Sequence, residues 1–98
     1  MENMINKKVI VRGDRSGVFF GTLAQKDGRE VMLKGCRRLW FWSGAASISQ
    51  IAKDGVANPD NCKFTVTVDE IIILDAIEII PCTEKAIINI EGVRTWMI

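Results

Sequence analysis

Histidine is absent from this 98-residue chain, which removes the side chain that most often acts as a general acid or base near neutral pH. Zinc-binding spacing is absent too, because Cys36, Cys62 and Cys82 stand far apart and no Cys-x-x-Cys pair occurs. Their odd number, in a chain whose start has no secretion signal, favours buried free thiols. The sequence therefore predicts a binding protein that is not an enzyme and uses neither a metal nor a cofactor.

Long apolar runs are also missing, and none approaches the roughly 20 residues that a membrane span requires. A chain of 98 residues with 48% hydrophobic and 26% charged residues is typical of one folded domain, residues 1–98. The net charge of +1 argues against long nucleic acid as a partner, since such proteins usually carry a domain-wide basic excess. We expect a cytosolic protein without a membrane partner.

The charges are unevenly distributed along the chain. Residues 1–50 contain nine Lys and Arg against four Asp and Glu, whereas residues 51–98 contain four against eight. Complementary surfaces of this kind can meet across a subunit boundary. The isoleucine-rich segment 70–80 is too apolar for a half-solvated strand and should be buried on both sides or covered by a partner. Both observations predict a homo-oligomer.

Hydrophobic periodicity predicts an α+β fold, a small antiparallel, barrel-like β-sheet with two short α-helices. Gly21 should mark a bulge, a bend or a close backbone approach, and Asp27 with Gly28 should form a hairpin turn. Ser43 and Thr83 are the expected N-caps of the helices. The predicted strands cover residues 8–12, 18–25, 30–34, 37–42, 62–68, 70–80 (as one strand or two) and 93–97, and the predicted helices cover 45–53 and 83–90.

Residues 37–47, with the sequence RRLWFWSGAAS, form the most informative stretch. In a strand, alternation would place Arg38, Trp40 and Trp42 on one face and Arg37 on the other. The first face would offer a cation beside flat rings, which suits a ligand with a phosphate and a base. Aromatic residues of strands also fill cores, so a structural role for Trp40 or Trp42 stays open. Small residues follow that would allow a ligand to approach the backbone or a helix N-terminus to receive an anion: Ser43, Gly44, Ala45 and Ser47.

Three further groups combine rings or glycine with fixed charge or amides. Each has an ordinary structural alternative, namely a solvated turn, a loop before a core phenylalanine, and a docked terminal strand. Together with the first stretch they favour a nucleotide-type ligand. The first group is Arg12, Arg15, Gly17 and Phe19, the second is Asn61, Lys63 and Phe64, and the third is Arg94 and Trp96.

Six blocks of the chain resemble, in order, a family of small tailed-phage proteins. They are VIVR (9–12), GVFFG (17–21), RRLWFW (37–42), GAASISQ (44–50), NCKF (61–64) and IEIIPCTEKA (77–86). The family is similar to phage immune-evasion sponges that sequester cyclic nucleotide signals of bacterial defence, either the cyclic di- or trinucleotides of CBASS or the cyclic ADP-ribose isomers of Thoeris. The resemblance implies an oligomeric viral protein of the host bacterial cytoplasm that binds its signal at subunit interfaces without cleaving it.

The leading hypothesis assigns phosphates to arginines and bases to rings. The phosphate contacts would come from Arg12, Arg37, Arg38 and Arg94, and the stacking from Trp40, Trp42, Phe64 or Trp96. Two alternatives stay open. Residues 17–33 loosely resemble the strand pattern of Sm-like RNA-binding modules, and the apolar strands could instead be the subunit interface of a non-enzymatic phage interaction protein.

Overall fold

A computed structural model describes residues 2–98 and shows the expected α+β architecture. Three strands precede the first helix and three more precede the second, and two short 3₁₀ turns lie at Glu2–Met4 and Pro59–Asn61. The strands are β1 (Lys8–Gly13), β2 (Val18–Asp27), β3 (Glu30–Phe41), β4 (Lys63–Phe64), β5 (Val68–Ile73) and β6 (Ala76–Pro81), and the helices are α1 (Ile48–Asp54) and α2 (Glu84–Gly92).

Strands β1, β2 and β3 form the antiparallel meander at the centre of the sheet. The hairpin turn between β2 and β3 has Gly28 at a φ of 59°, which confirms the prediction from the Asp-Gly pair. The register shifts opposite Gly21, where two steps along β2 match three along β3, so the extra residue of this bulge belongs to β3. A Cβ on Gly21 would lie 3.1 Å from the Lys34 carbonyl oxygen, so the backbones also approach closely there. The two strands predicted for 30–34 and 37–42 are one continuous strand, β3.

The isoleucine-rich segment forms two strands that lie on opposite edges of this meander. β5 pairs with the first half of β3, and β6 pairs with β1. The bend between them is anchored by Asp75, whose carboxylate accepts hydrogen bonds from the Arg15 and Ser16 N–H groups at 2.8 and 3.1 Å and from the Ser16 hydroxyl at 2.5 Å. Because no pairing joins β5 to β6 among the described residues, the sheet is not a closed barrel.

The sheet is buried on both of its faces. Ile10 and Phe20 face a cluster that the two helices cover, whereas Val9, Val11 and Phe19 face a second cluster with β5. Alternation along β1 and β2 thus serves two cores. Neither helix, nor any other in residues 2–98, is long and apolar enough to cross a membrane.

Several sequence-based boundaries were wrong. Helix α1 begins at Ile48 and is capped by Ser47, whose hydroxyl accepts from the Gln50 N–H, so Ser43 is not the cap. Thr83 caps α2 as predicted. The predicted strand 62–68 is reduced to β4 and the start of β5, and the predicted strand 93–97 contributes only a bridge between Thr95 and Phe64.

The segment 70–80 is not buried on both sides within one chain. Ile72 and Leu74 are 57% and 68% exposed, and Ile77 is also exposed. Burial of this segment would therefore need a partner, which is the second of the two situations expected from its composition.

Candidate functional site

Arg37 lies in the interior, with only 4% of its surface exposed. Its guanidinium donates to four main-chain carbonyl oxygens, those of Thr65 (3.1 Å), Ile90 (3.0 Å), Val93 (2.9 Å) and Phe64 (3.2 Å). Burial lowers the pKa of Arg37, and the ion pairs found among the described side chains do not include it. The phosphate contact predicted for Arg37 is therefore corrected to an internal structural role.

Arg38 and the turn after β1 come together on the other face of the sheet. The Arg38 guanidinium lies over the Phe19 ring, 4.4 Å from its centroid, and donates to the Ser16 carbonyl oxygen. A Cβ on Gly17 would be 3.3 Å from Arg38 Nη1, so the close approach predicted at Gly17 is to Arg38. Phe19 is itself buried, which prevents it from stacking on a ligand.

Arg12 and Arg15 bracket that turn at the surface. The Arg12 guanidinium lies 3.7 Å from the Glu78 carboxylate across β1 and β6, and an exposed pair of this kind contributes little to stability. Arg15 is exposed and holds the turn through its N–H group. The structure therefore leaves both guanidinium groups near the surface, and no cation–π contact of either one is found among the described residues.

A bulge at the end of β3 separates Arg38, Trp40 and Trp42, which strict alternation would have placed on one face. Leu39 pairs with Phe64 and Phe41 pairs with Lys63, so two steps along β3 match one step along β4. Beyond the bulge Trp42 packs on the same buried cluster as Leu39. Trp40 remains 64% exposed. The predicted common face of Arg38, Trp40 and Trp42 is therefore wrong, and Trp42 belongs to the core.

The small residues after Trp42 serve the chain's own packing. Gly44 has a φ of 94°, and a Cβ there would lie 2.6 Å from the Ala57 and Asn58 nitrogens. The Ser43 hydroxyl accepts from the Asn58 side chain at 3.1 Å, and Ala45 packs against the core. Ser47 caps α1. The expected ligand contact of this segment is thus replaced by intramolecular contacts.

Two of the predicted groups do meet, in a surface cleft of about 490 Å³. One wall is the segment 59–63 and the other is the segment 94–97, which we call the cleft walls. Asn61 and Lys63 belong to the first wall, and Arg94 and Trp96 to the second. The Lys63 ammonium lies over the Trp96 indole, 5.4 Å from the ring centroid. Two cations, an amide and an indole therefore line one opening.

Buried Arg37 holds these two walls together from below. Two of its acceptors, Phe64 and Thr65, directly follow the first wall, and the other two, Ile90 and Val93, precede the second. The backbone N–H of Trp96 donates to the Phe64 carbonyl oxygen at 2.8 Å and closes the same junction. Phe64 is fully buried and supports the cleft from the core, so the stacking role predicted for it is corrected.

Sequence reasoning missed side chains that line this opening, and it missed Phe41, which neighbours Lys63 in the sheet. Phe41 pairs with Lys63 in the register and is 50% exposed, so it stands on the same face of the strands as Lys63. Asp60 and Met97 line the cleft itself. Only the bulge brings Phe41 to this face, and a bulge without a glycine leaves no local signal in the sequence.

The chemistry that the described residues offer at the cleft is recognition of a planar anion. Neither Cys36 nor Cys82 lines the cleft, and burial raises the pKa of both thiols to about 12, so both stay protonated and weakly nucleophilic near neutral pH. No group of three or more metal-binding side chains was found in residues 2–98. A larger cavity of about 630 Å³, between β2, β3 and Ile72, contains none of the predicted site residues.

Comparison with known proteins gives a family but no function. A family model described as a domain of unknown function (DUF6948) matches residues 6–90. No curated protein and no solved structure matches the chain.

Proposed function

The chain belongs to the DUF6948 family, and we propose that it is a phage protein that binds and sequesters a cyclic nucleotide-type immune signal of bacterial defence without cleaving it. The signal would be a cyclic oligonucleotide or a cyclic ADP-ribose isomer, and the place of action the host bacterial cytoplasm. The assignment to phage defence derives from the sequence resemblance, and the binding site from the geometry of the cleft.

The observation that carries the proposal is the convergence of Lys63, Arg94, Asn61 and Trp96 on one opening. The cations suit phosphate oxygens, the amide suits a base edge, and the indole suits base stacking. A volume of about 490 Å³ lies within the range of small-molecule sites. The lack of histidine supports a binder rather than a catalyst.

The neighbouring side chains favour a compact anion over long RNA. Asp60 lines the same cleft as the two cations, and the whole chain carries a net charge of only +1. A polyanion would need an extended basic track, because its affinity depends on many phosphate contacts. The Sm-like RNA-binding alternative is therefore the second candidate, and the same experiment tests it.

Binding should be measured with a panel of cyclic dinucleotides, cyclic trinucleotides and cyclic ADP-ribose isomers, by calorimetry. Heating the complex should then release the ligand intact. The Trp96→Ala variant should bind roughly 5- to 150-fold more weakly, the equivalent of about 1–3 kcal/mol per stacked base. Ile88→Ala, which truncates an exposed apolar side chain of α2, is the matched control.

The result can contradict the proposal in two distinct ways. If no panel member binds but single-stranded RNA does, with an affinity that falls steeply with salt, the RNA-binding alternative replaces it. If neither binds and the protein is only an oligomer, the interaction-protein alternative replaces it. Cleavage of the ligand during incubation would overturn the non-catalytic part.

Homo-oligomerisation is part of the same proposal and is supported by exposed apolar side chains. Ile72 in β5 and Leu74 in the bend that follows it are each more than half exposed. Large exposed apolar side chains that lie together mark interaction surfaces in soluble proteins. Native mass spectrometry should report several copies per particle, and a monomer at micromolar concentration would contradict this part.

A further inference from the structure

The contact between Lys63 and Trp96 spans the cleft from one wall to the other. Lys63 stands on the wall 59–63, and its ammonium lies over the indole of Trp96 on the wall 94–97. The ring face that a base entering between the walls would meet is therefore already covered by a cation. Trp96 is nevertheless 46% exposed and Lys63 is also exposed, so this contact lies at a solvent-accessible position.

We infer that Lys63 and Trp96 form an exchange pair, in which the ligand's planar ring displaces the ammonium from the indole and the ligand's phosphate then receives that ammonium. This inference rests on the proposed function and names the ligand class of the same site, a phosphorylated planar ring rather than a neutral nucleoside. A ring without a phosphate would break the cation–indole contact and offer the ammonium nothing in return.

The other charges around the cleft support this reading. None of the ion pairs found among the described side chains involves Lys63. Asp60 lines the cleft but does not hold the ammonium within ion-pair distance. Arg94, on the opposite wall, is the second cation available to a phosphate and, in contrast to Lys63, is not found over a ring.

The exchange predicts effects of opposite sign on two probes, adenosine and adenosine 5′-monophosphate. Lys63→Ala uncovers the indole, so adenosine should bind about two- to fivefold more tightly, the equivalent of about 0.5–1 kcal/mol for an exposed cation–π contact. The same variant should bind the monophosphate at least about threefold more weakly, since it loses a phosphate contact. The preference for the monophosphate should therefore shrink by roughly an order of magnitude.

Matched variants separate the exchange from a simple loss of charge. Arg94→Ala removes a cation from the same cleft without uncovering the ring, so it should weaken the monophosphate and not strengthen adenosine. Lys85→Ala, in which an exposed α2 lysine near Asp54 is removed, should change neither. Binding is followed by the indole N–H signal of Trp96 in nuclear magnetic resonance titrations, with Trp96→Phe used to assign that signal.

The outcomes distinguish this inference from the proposed function. If the monophosphate or a cyclic nucleotide shifts the Trp96 signal but Lys63→Ala weakens or leaves unchanged the binding of adenosine, the exchange is overturned and the proposed function stands. If no probe shifts the signal in any protein, the proposed cleft and the exchange are both wrong. Stronger adenosine binding with weaker monophosphate binding in Lys63→Ala supports the exchange.

Discussion

Replacing Arg37 by methionine should destabilise the protein and weaken ligand binding together. The guanidinium is 4% exposed and donates to four carbonyl oxygens that belong to two separate segments. Methionine fills a similar volume but donates no hydrogen bond. The variant therefore tests whether this arginine holds the cleft walls together.

The magnitude follows from what each carbonyl would lose. The Phe64 carbonyl oxygen also accepts from the backbone N–H of Trp96, and the Ile90 carbonyl oxygen also accepts from the backbone N–H of Val93. The loss of hydrogen bonds therefore falls mainly on the carbonyls of Thr65 and Val93. A buried acceptor left without a partner costs about 1–3 kcal/mol. Relief of the guanidinium's desolvation offsets part of this cost. We expect the free energy of unfolding to fall by about 2–4 kcal/mol.

Urea denaturation followed by circular dichroism measures this change, with Arg29→Met as the matched control. Arg29 lies in the exposed turn between β2 and β3, and its substitution should change the free energy of unfolding by less than about 0.5 kcal/mol. Arg37→Lys should fall between the wild type and Arg37→Met, because one ammonium cannot span four acceptors.

A stable Arg37→Met protein would contradict the structural role that we assign to Arg37. Some buried charges can be replaced by apolar residues without loss, or with a gain, of stability. If Arg37→Met unfolds at the wild-type urea concentration and binds the ligand with wild-type affinity, the guanidinium does not hold the walls. If stability falls but affinity is kept, Arg37 serves the core and not the cleft.

Three further predictions concern the framework of the fold. Hydrogen bonds from the Ser16 hydroxyl and nearby N–H groups hold the pKa of Asp75 below its usual value. The contribution of Asp75 to stability is therefore present above about pH 4 and is lost as the pH falls through the pKa of the folded state. Asp75→Asn should flatten the acid limb of the stability profile measured by thermal unfolding between pH 6 and 2. Gly44→Ala places a Cβ 2.6 Å from the Ala57 nitrogen at a φ of 94°, and should cost at least about 1–2 kcal/mol in urea denaturation, whereas an unchanged midpoint would show that the loop adjusts freely. Thr83→Ala removes the α2 cap and a hydrogen bond to the end of α1, and should cost about 1–2 kcal/mol, with Thr83→Ser restoring most of it.

Local chemistry was enough to predict most of the framework. The Asp27-Gly28 turn, the close backbone approach at Gly21 and the Thr83 cap all appear in the structure. Each depends on the conformational preference of one or two residues and their immediate neighbours. The α+β class follows from the same signals, since hydrophobic periodicity changes from strand to helix along the chain.

The site required information that no local pattern contains. Alternation assigned Arg38, Trp40 and Trp42 to one face, but a bulge without a glycine lies between Leu39 and Phe41, and one extra residue reverses every face beyond it. Residue types alone could not place Arg37, because its burial depends on carbonyls contributed by β4 and by the end of α2.

The amino acids alone define the chemical groups available for binding, namely the guanidinium, ammonium and indole side chains without any histidine. Folding selects which of these groups share a cleft. Lys63 meets Trp96, distant in the chain, because an arginine buried beneath them bonds to the backbone on both sides. The physical reason is that side-chain encounters between distant segments are fixed by register and by buried polar contacts, which the local preferences of a chain do not specify.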